Sequence, residues 1–376
     1  MRAIYNVGNG KSALPPLPLP LPPPPLSRKE GWATHVARQP SLRPESPSAA
    51  ALGRMGAEER ARFDGLRRHH HNSFGPVLTP TLSRVVDDLF VRATSNLGTS
   101  SGARPGAVLD GYANLGKTTI LAHFGRKYEV SLRGQYGGAV EAHLENEWHP
   151  VVYHTLTAQT TLKALYRGIA GFYNAPVAKS ATTEQLAEAV VDCAQRCGTS
   201  LFLIDDVHYL DMRHEGARMV NNGMKEIANQ TSAMFVYAGI GCLESGLLTE
   251  GKTPSKESFG QTRGRFTHVP VEPFRDDTDE SRREWMTLLR SFEQQLVLLN
   301  GSDEMLCNGK LASYLYERTR GYVGSLSNLI RLGAARALDN GSERITRDLL
   351  DGIKLDHAAE TGRAMVAKHS ASRRGR

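Results

Sequence analysis

Apolar residues recur with two different periods along the chain, and the period predicts which elements follow one another. Short apolar runs bounded by polar or glycine residues predict five β-strands. These runs are "AVLD" (107–110), "PVVYHTL" (150–156), "SLFLIDD" (200–206), "AMFVYAG" (233–239) and "FTHVPVE" (266–272). Between them, residues 160–173 and 183–197 have helical spacing, and Thr182 with Gln185 predicts a capping box at the second helix. Alternating strands and helices predict an α/β fold with a parallel sheet covered on both faces.

Helical spacing dominates on either side of this alternating region. "TPTLSRVVDDLFVRAT" (79–94) reads as an amphipathic helix with a proline near its start. The glycine-containing stretch 131–149 predicts an insertion or a hairpin. After residue 275 the pattern is helical throughout, which predicts a second, helical domain. Its helices are predicted at 278–299, 309–319, 324–339 and 346–354.

The first 54 residues show neither period and contain a Pro/Leu tract at 14–26. Such composition favours polyproline II or disorder, so we expect no core here and expect that deletion of 1–54 leaves folding unchanged. Met55 opens the more regular "MGAEERARFDGLRR" and is our expected translation start. The alternative is a proline-rich ligand for a partner protein.

The stretch "GYANLGKTT" (111–119) follows the first predicted strand and precedes a helical pattern. It fills G-x-x-x-x-G-K-[ST], in which backbone N–H groups surround phosphates, the lysine contacts the β- and γ-phosphates and the hydroxyl ligates Mg²⁺. The alternative is an ordinary glycine-rich turn that caps a helix. The motif predicts ATP and Mg²⁺ as cofactors, with Thr118 as a metal ligand. The predicted nucleotide-binding residues are Gly111, Asn114, Gly116, Lys117, Thr118 and Thr119.

"LFLIDD" supplies the carboxylates that such a loop needs. Asp205 emerges at the carboxyl end of a buried strand, where we expect it beside Mg²⁺ opposite Thr118. Asp206 follows where a carboxylate can orient the attacking water, so it is the predicted catalytic base. The alternative for both is a solvated strand end.

Composition narrows the class of protein. The chain has four cysteines, too few and too scattered for a disulfide framework, and we expect core or surface thiols. The histidine cluster 69–71 is predicted to be part of a solvated tail. No apolar run reaches membrane-spanning length, and the Pro/Leu tract is no signal sequence, so we expect a cytoplasmic protein without membrane contact.

The net charge of +7 is concentrated at the two ends of the chain. Residues 1–68 carry 11 Lys and Arg against 5 Asp and Glu, and residues 361–376 carry five basic and no acidic residues. Basic ends on a mildly acidic centre indicate either contact with a polyanion or a pair of solvated tails.

The order of motifs over about 76–355 resembles the TniB/TnsC-type AAA+ ATPases, the ATP-dependent DNA-binding regulators of transposons with a DDE-type transposase. The motifs include "LDGYANLGKTTI", "LFLIDDVHYL", "RGRFTHVPVEPF" and "RGYVGSLSNLIRLGAARAL". The resemblance implies that Lys117, Thr118 and Asp205 bind nucleotide and Mg²⁺. Asp206 stands where the family usually has Glu, which implies slow hydrolysis. Arg265 matches the arginine presented to a neighbouring subunit's nucleotide, with Arg263 as a competitor for that role.

Two family features are less evident. No polar sensor is apparent in "FVYAGIGC", and Ser327 stands where many AAA+ relatives have an arginine. Arg331 lies one turn later and is either a nucleotide sensor or a surface charge.

The resemblance implies a P-loop (AAA+) three-layer parallel sheet domain with a C-terminal helical lid. It also implies a homo-oligomer, as a ring or filament, that binds double-stranded DNA and recruits a DDE transposase. The alternatives are a helicase loader or replication initiator, and an ATP-gated signalling switch without DNA. The predicted boundaries are an extension at 1–54, a helical segment at 55–105, the ATPase domain at 106–275, the lid at 276–355 and a basic tail at 356–376.

Overall fold

The computed structural model describes residues 14–19, 21–39, 43–77, 79–98, 102, 104–144, 146–247, 265–301 and 304–356. They fall into two compact units. The described residues of Pro22–Arg38 and Thr81–Glu272 form the sheet unit, and those of Met1–Leu21, Gln39–Pro80 and Pro273–Arg376 form the helical unit. Most of the predicted basic tail, 357–376, lies outside the described residues.

The sheet unit is built on five strands, which are β1 (Gly106–Asp110), β2 (Val151–Thr155), β3 (Leu201–Asp205), β4 (Met234–Gly239) and β5 (Phe266–Pro270). All pairings are parallel, and the strands lie in the order β2–β3–β4–β1–β5. All five predicted strands are therefore confirmed. The three central strands, β3, β4 and β1, are buried along their whole length, as expected for a sheet covered on both faces.

Helices cover both faces of this sheet. They are α1 (Lys29–Ala37), α4 (Pro80–Ser95), α5 (Lys117–Glu141), α6 (Leu162–Phe172), α7 (Thr183–Arg196) and α8 (Glu215–Thr231). Consecutive strand residues point to opposite faces. Tyr153 stacks on Trp32 of α1, whereas His154 lies against Gly168 of α6. The two faces are thus covered by different helices, and the predicted three-layer arrangement is confirmed. The capping box of Thr182 and Gln185 opens α7 as predicted.

The insertion or hairpin predicted for 131–149 is wrong over its first half. Helix α5 runs unbroken for 25 residues through Gly137 and Gly138. Arg133 stabilises this extension because its guanidinium donates to Glu129 one turn earlier and to the carbonyl oxygen of Trp148. The glycine pair was misleading because a glycine in a helix has a modest cost, which these contacts offset.

The polyproline II or disorder predicted for 1–54 is wrong for two segments of its described part, while residues 1–13 lie outside the described residues. Lys29–Ala37 forms α1, and Trp32 at its centre is only 1% exposed within the sheet unit. A further short helix, Ala49–Arg54, begins with a hydrogen bond from the amide of Ala51 to the Ser48 hydroxyl. One large buried side chain is enough to dock a short helix, and a single tryptophan gives no periodic pattern along the sequence.

The helical unit contains α2 (Ala49–Arg54), α3 (Ala57–Asn72), α9 (Asp279–Glu293), α10 (Gly309–Thr319), α11 (Val323–Asp339) and α12 (Arg347–Asp351). The C-terminal helices share one apolar core, in which Phe74 and Val77 also pack. Helix α3 is joined to them by Arg67, which is fully buried and binds both carboxylate oxygens of Glu343, at 2.6 and 2.8 Å. The C-terminal part of the chain is therefore helical, as predicted, although α9 and α12 are shorter than expected.

The histidine cluster belongs to this helical unit and not to a solvated tail. Residues 69–71 form the last turn of α3, where His70 and His71 are buried. The Nε2 atom of His71 accepts the amide N–H of Val297 at 2.9 Å. The tail prediction is wrong because the sequence gives no sign of the long-range partners that bury these rings.

Candidate nucleotide site

The phosphate loop lies between β1 and α5, at the carboxyl edge of the sheet. Its shape depends on two glycines. Gly116 has a φ of 81°, and a Cβ atom on Gly111 would lie 2.2 Å from the carbonyl oxygen of Val271. Asn114 also has a left-handed backbone, with a φ of 61°. The glycine pattern is therefore a requirement of the backbone path, and the helix that follows points its free N–H groups toward this edge.

Lys117 is the first residue of α5, and its side chain is largely buried. Its ammonium donates to the carbonyl oxygens of Gly111 at 2.7 Å and of Tyr112 at 2.6 Å. Burial lowers the pKa of this ammonium, and the nearby charge of Asp205 partly opposes the shift. Thr118 and Thr119 follow with exposed side chains on the first helical turn. The loop thus presents one cation and two hydroxyl-bearing side chains at the amino end of a helix.

Asp205 ends β3 and is 3% exposed. One carboxylate oxygen, Oδ1, accepts the amide N–H of Asp206 at 2.9 Å, and the other, Oδ2, accepts the hydroxyl of Tyr153 at 2.6 Å. Burial and the adjacent carboxylate raise the pKa of the Tyr153 hydroxyl, which keeps it protonated as a donor. Tyr153 was not a predicted site residue. Its only sequence signal is a polar aromatic in an apolar strand.

Asp206 follows with a φ of 58°, in the left-handed region. This conformation turns the chain sharply after β3, and aspartate is among the non-glycine residues that tolerate it. The pKa of Asp206 is raised, first by burial and then by the charge of Asp205. The Nδ1 atom of His208 lies 3.7 Å from the Asp206 carboxylate. A partly exposed carboxylate beside the phosphate-binding edge has the chemistry of a general base.

Asp110, the last residue of β1, is a buried polar residue that sequence reasoning treated only as part of a strand. Its carboxylate accepts the backbone N–H groups of Cys242 and Leu243, at 3.0 and 3.3 Å, and lies 3.3 Å from His268 Nε2. Burial and Asp110 together raise the pKa of the Cys242 thiol. Asp110 therefore joins the end of β1 to the segment after β4 and to the middle of β5, just before the phosphate loop.

The region after β4 shows why no polar sensor was evident in the sequence. A Cβ atom on Gly239, the last residue of β4, would lie 2.8 Å from both Val207 and Cys242. The Asp110 carboxylate is bonded there to backbone amides, so the polar contact at this strand end is made by the main chain.

Arg265 lies immediately before β5, and its carbonyl oxygen accepts the N–H of Gly106 at 2.6 Å. Gly106 and Asp110 are opposite ends of β1, so Arg265 is separated from the phosphate loop of its own chain by the length of that strand, about 15 Å. The structure therefore does not bring Arg265 together with Lys117. The competing residue, Arg263, lies outside the described residues. Ser327 and Arg331 are half-buried on α11 of the helical unit.

The described residues contain no cluster of three or more His, Cys, Asp or Glu that could hold a metal ion. A site for Mg²⁺ does not need one, because this ion commonly uses one or two protein ligands with phosphate oxygens and water. The Thr118 hydroxyl and the remaining lone pairs of Asp205 fit that pattern.

The four cysteines are free thiols, three of them buried, as predicted. No described helix is long and apolar enough to cross a membrane.

Comparison with known proteins gives one family and a set of related folds. The model of the bacterial TniB protein family matches residues 92–252, which include β1 to β4 and both carboxylates. No curated protein matches the chain in sequence. The predicted resemblance to TniB-type AAA+ proteins is confirmed by this match together with the fold.

Three solved structures share the fold at low identity. The ORC1 protein of Aeropyrum pernix, in a complex with DNA, has a TM-score of 0.53 and 15% identity, over 80% of this chain and 69% of that one. The ORC2 protein of the same organism, in ADPNP–ADP complexes, has a TM-score of 0.54 and 13% identity, over 76% of this chain and 70% of that one. Cdc6p from Pyrobaculum aerophilum has a TM-score of 0.53 and 14% identity, over 75% of this chain and 70% of that one. These likenesses show the fold alone, a P-loop α/β sheet domain with a helical C-terminal part.

Proposed function

We propose that this TniB-like AAA+ protein is an ATP-dependent, DNA-binding regulator of transposition. It assembles as a homo-oligomer on double-stranded DNA and recruits a DDE transposase, and ATP hydrolysis controls disassembly. The observation that carries the proposal is the position of Lys117, Asp205 and Asp206 at one edge of a parallel sheet, within residues that match the TniB family.

The roles follow from the contacts. Lys117 and the loop amides bind phosphates, while Thr118 and Asp205 hold Mg²⁺, which when bound neutralises charge on the phosphates. Asp206 accepts the proton of the attacking water, and its raised pKa makes it a better base than an ordinary aspartate. Its side chain is one methylene shorter than the Glu that is usual in the family, so hydrolysis is slow. We further infer that 106–275 is the ATPase domain and 276–355 the lid.

Arg265 completes the site of a neighbouring subunit. The separation of Arg265 from its own phosphate loop supports this role, because a finger that acts in trans must lie away from its own nucleotide. Such an arginine is worth a factor of ~10³–10⁵ in rate, so hydrolysis depends on assembly.

In the proposed assembly, the protein contacts mainly the phosphates of the DNA, which gives little sequence preference and strong salt dependence.

The central test is DNA binding by filtration and by electron microscopy, with ATP, with a non-hydrolysable analogue and without nucleotide. We expect oligomers on duplex DNA with either nucleotide and disassembly only where ATP is hydrolysed. DNA binding that is indifferent to nucleotide would contradict the proposal, and ATP binding without any DNA binding would favour the signalling switch.

Mixing two inactive variants tests the shared site. Arg265→Ala binds ATP but lacks the finger, and Lys117→Ala has the finger but no ATP. The mixture should recover part of the hydrolysis rate, because an intact finger can act on a neighbour's ATP. A mixture that co-assembles and stays as inactive as its components would overturn the trans arrangement.

A further inference from the structure

The side chain of Tyr153 reaches the carboxylate of Asp205 across two neighbouring strands. In the β2–β3 register Tyr153 lies opposite Leu203, and Asp205 is two residues further along β3. Residues two apart on a strand share a face, so Tyr153 and Asp205 point to the same side of the sheet. The resulting hydrogen bond to Oδ2, at 2.6 Å, joins two nearly fully buried groups.

This bond leaves the Asp205 carboxylate with little rotational freedom. The amide of Asp206 holds the other oxygen, Oδ1, at 2.9 Å, so each oxygen has its own donor. A carboxylate oxygen has a second lone pair, which remains available for a cation or its water. Hydrogen bonds to a ligating carboxylate fix its orientation, and their loss typically weakens metal binding 10- to 100-fold.

The Tyr153 ring is itself held by the amino-terminal helix α1. The ring of Trp32 stacks on it with centroids 5.9 Å apart and planes inclined by 15°. The indole N–H of Trp32 donates to the buried carboxylate of Glu129 at 2.7 Å. Gly125 of α5 makes room for the indole, because a Cβ atom there would lie 2.8 Å from Trp32 Cη2. The indole is thus fixed on both its ring face and its polar edge.

We propose that Tyr153 is a positioning residue for the metal-side carboxylate Asp205, and that Trp32 of α1 holds Tyr153 in place. This inference rests on the proposed function, in which Asp205 serves Mg²⁺. It makes the amino-terminal helix part of the nucleotide site, although the hydrogen bonds of the Asp205 carboxylate come from Tyr153 and Asp206 and not from α1. The metal-dependent part of ATP binding therefore depends on α1, while the phosphate contacts of Lys117 do not.

The decisive variant is Tyr153→Phe, which keeps the ring and its stacking on Trp32 and removes only the hydroxyl. ATP affinity is measured by calorimetric titration of the full chain, with Mg²⁺ and with the metal chelated. We expect unchanged affinity without metal and a loss of about 10-fold in the gain that Mg²⁺ provides. The Mg²⁺ concentration for half-maximal effect should rise correspondingly.

Tyr166→Phe is the matched control. Tyr166 is a buried tyrosine of α6 in the same unit, and its hydroxyl also donates to a carboxylate, that of Glu226, at 3.2 Å. Removing this hydroxyl has a similar structural cost and should leave the Mg²⁺ dependence unchanged. Equal effects of the two variants would show general destabilisation and overturn the proposal.

Two Trp32 variants test the second step. Trp32→Phe retains an aromatic ring against Tyr153 and should change the Mg²⁺ dependence little, whereas Trp32→Leu removes the stack and should shift it in the same direction as Tyr153→Phe. Thermal melting of each variant establishes the folded fraction. A folded Trp32→Leu protein with parental Mg²⁺ dependence would overturn the role of α1.

The outcomes also separate this inference from the proposed function. If the parent does not bind ATP, the proposed function fails and the inference fails with it. If the parent shows Mg²⁺-dependent binding that Asp205→Asn abolishes, and Tyr153→Phe behaves as the parent does, only the inference is overturned.

Discussion

In the phosphate loop the polar side chains are mostly exposed and the backbone determines the shape, whereas in the amino-terminal helices α1 and α3 large buried side chains determine the packing. Gly111 leaves room for a neighbouring carbonyl oxygen and Gly116 adopts a left-handed backbone, so the two glycines determine the course of the loop backbone. The side chain of Thr118 is exposed. By contrast, Trp32 and Arg67 are almost completely buried, each in a different unit. The exposed polar side chains of the loop can therefore be altered with little cost in stability, whereas its two glycines and the buried side chains of the amino-terminal helices cannot.

The largest expected effect is on nucleotide binding. Lys117→Ala removes the only cation in the loop sequence "GYANLGKTT", so we expect ATP affinity to fall by roughly 10³-fold, as for loss of a preorganised charged donor. Calorimetric titration measures the affinity, and thermal melting should show a protein as stable as the parent. Unchanged affinity would show that the loop is an ordinary helix-capping turn.

For α1 we expect a loss of stability, whereas the Lys117 variant is expected to lose ATP affinity and keep its stability. Trp32→Ala removes a fully buried indole and should lower the free energy of unfolding of the sheet unit by about 3–5 kcal/mol. Urea unfolding followed by hydrogen exchange of β2 and β3 measures the loss. The same truncation at an exposed position, Tyr209→Ala, is the control and should cost little. Deletion of 1–54 should be at least as harmful, contrary to the expectation from composition.

The two carboxylates at the carboxyl end of β3 are expected to have different roles in ATP hydrolysis. Asp206→Ala should retain ATP binding and hydrolyse it about 100-fold more slowly, because it loses a general base. Because the pKa of Asp206 is raised, the parent rate should climb with pH over a range above that of an ordinary aspartate, and the variant should lose this dependence. Parental rates in both Asp206→Ala and Asp205→Ala would mean that neither carboxylate takes part.

The smallest expected effect concerns α3. Burial, followed by the neighbouring cations, lowers the pKa of His71 from 6.5 to about 3. Below pH 6.5 His71 binds a proton in the unfolded chain but stays neutral in the folded unit. The free energy of unfolding should therefore fall by ~2 kcal/mol between pH 6.5 and 5. His71→Gln retains an acceptor for the Val297 amide but does not titrate. Urea unfolding at both pH values should show a smaller decrease in this variant.

These contrasts also explain which parts could be predicted from sequence. The five strands and the positions of the phosphate loop and of the two aspartates at the carboxyl end of β3 could be predicted, because each depends on neighbouring residues and a fixed spacing. Tyr153 and Trp32 were missed because their partners lie far away in sequence. The bond to Asp205 spans 52 positions and the bond to Glu129 spans 97. Chance glycines at 137 and 138 likewise concealed the continuation of α5.

The position of Trp32 in the chain has a consequence for synthesis on the ribosome. Helix α1 has nine residues, too few to persist alone in water, and its indole packs against β2 and α5, which are made later. With chain growth of about 5–20 residues per second, an interval on the order of 10 s separates Trp32 from the completion of β2. During that interval the indole lacks its native packing partners, and the sheet unit acquires its earliest-made helix only after β2 has emerged.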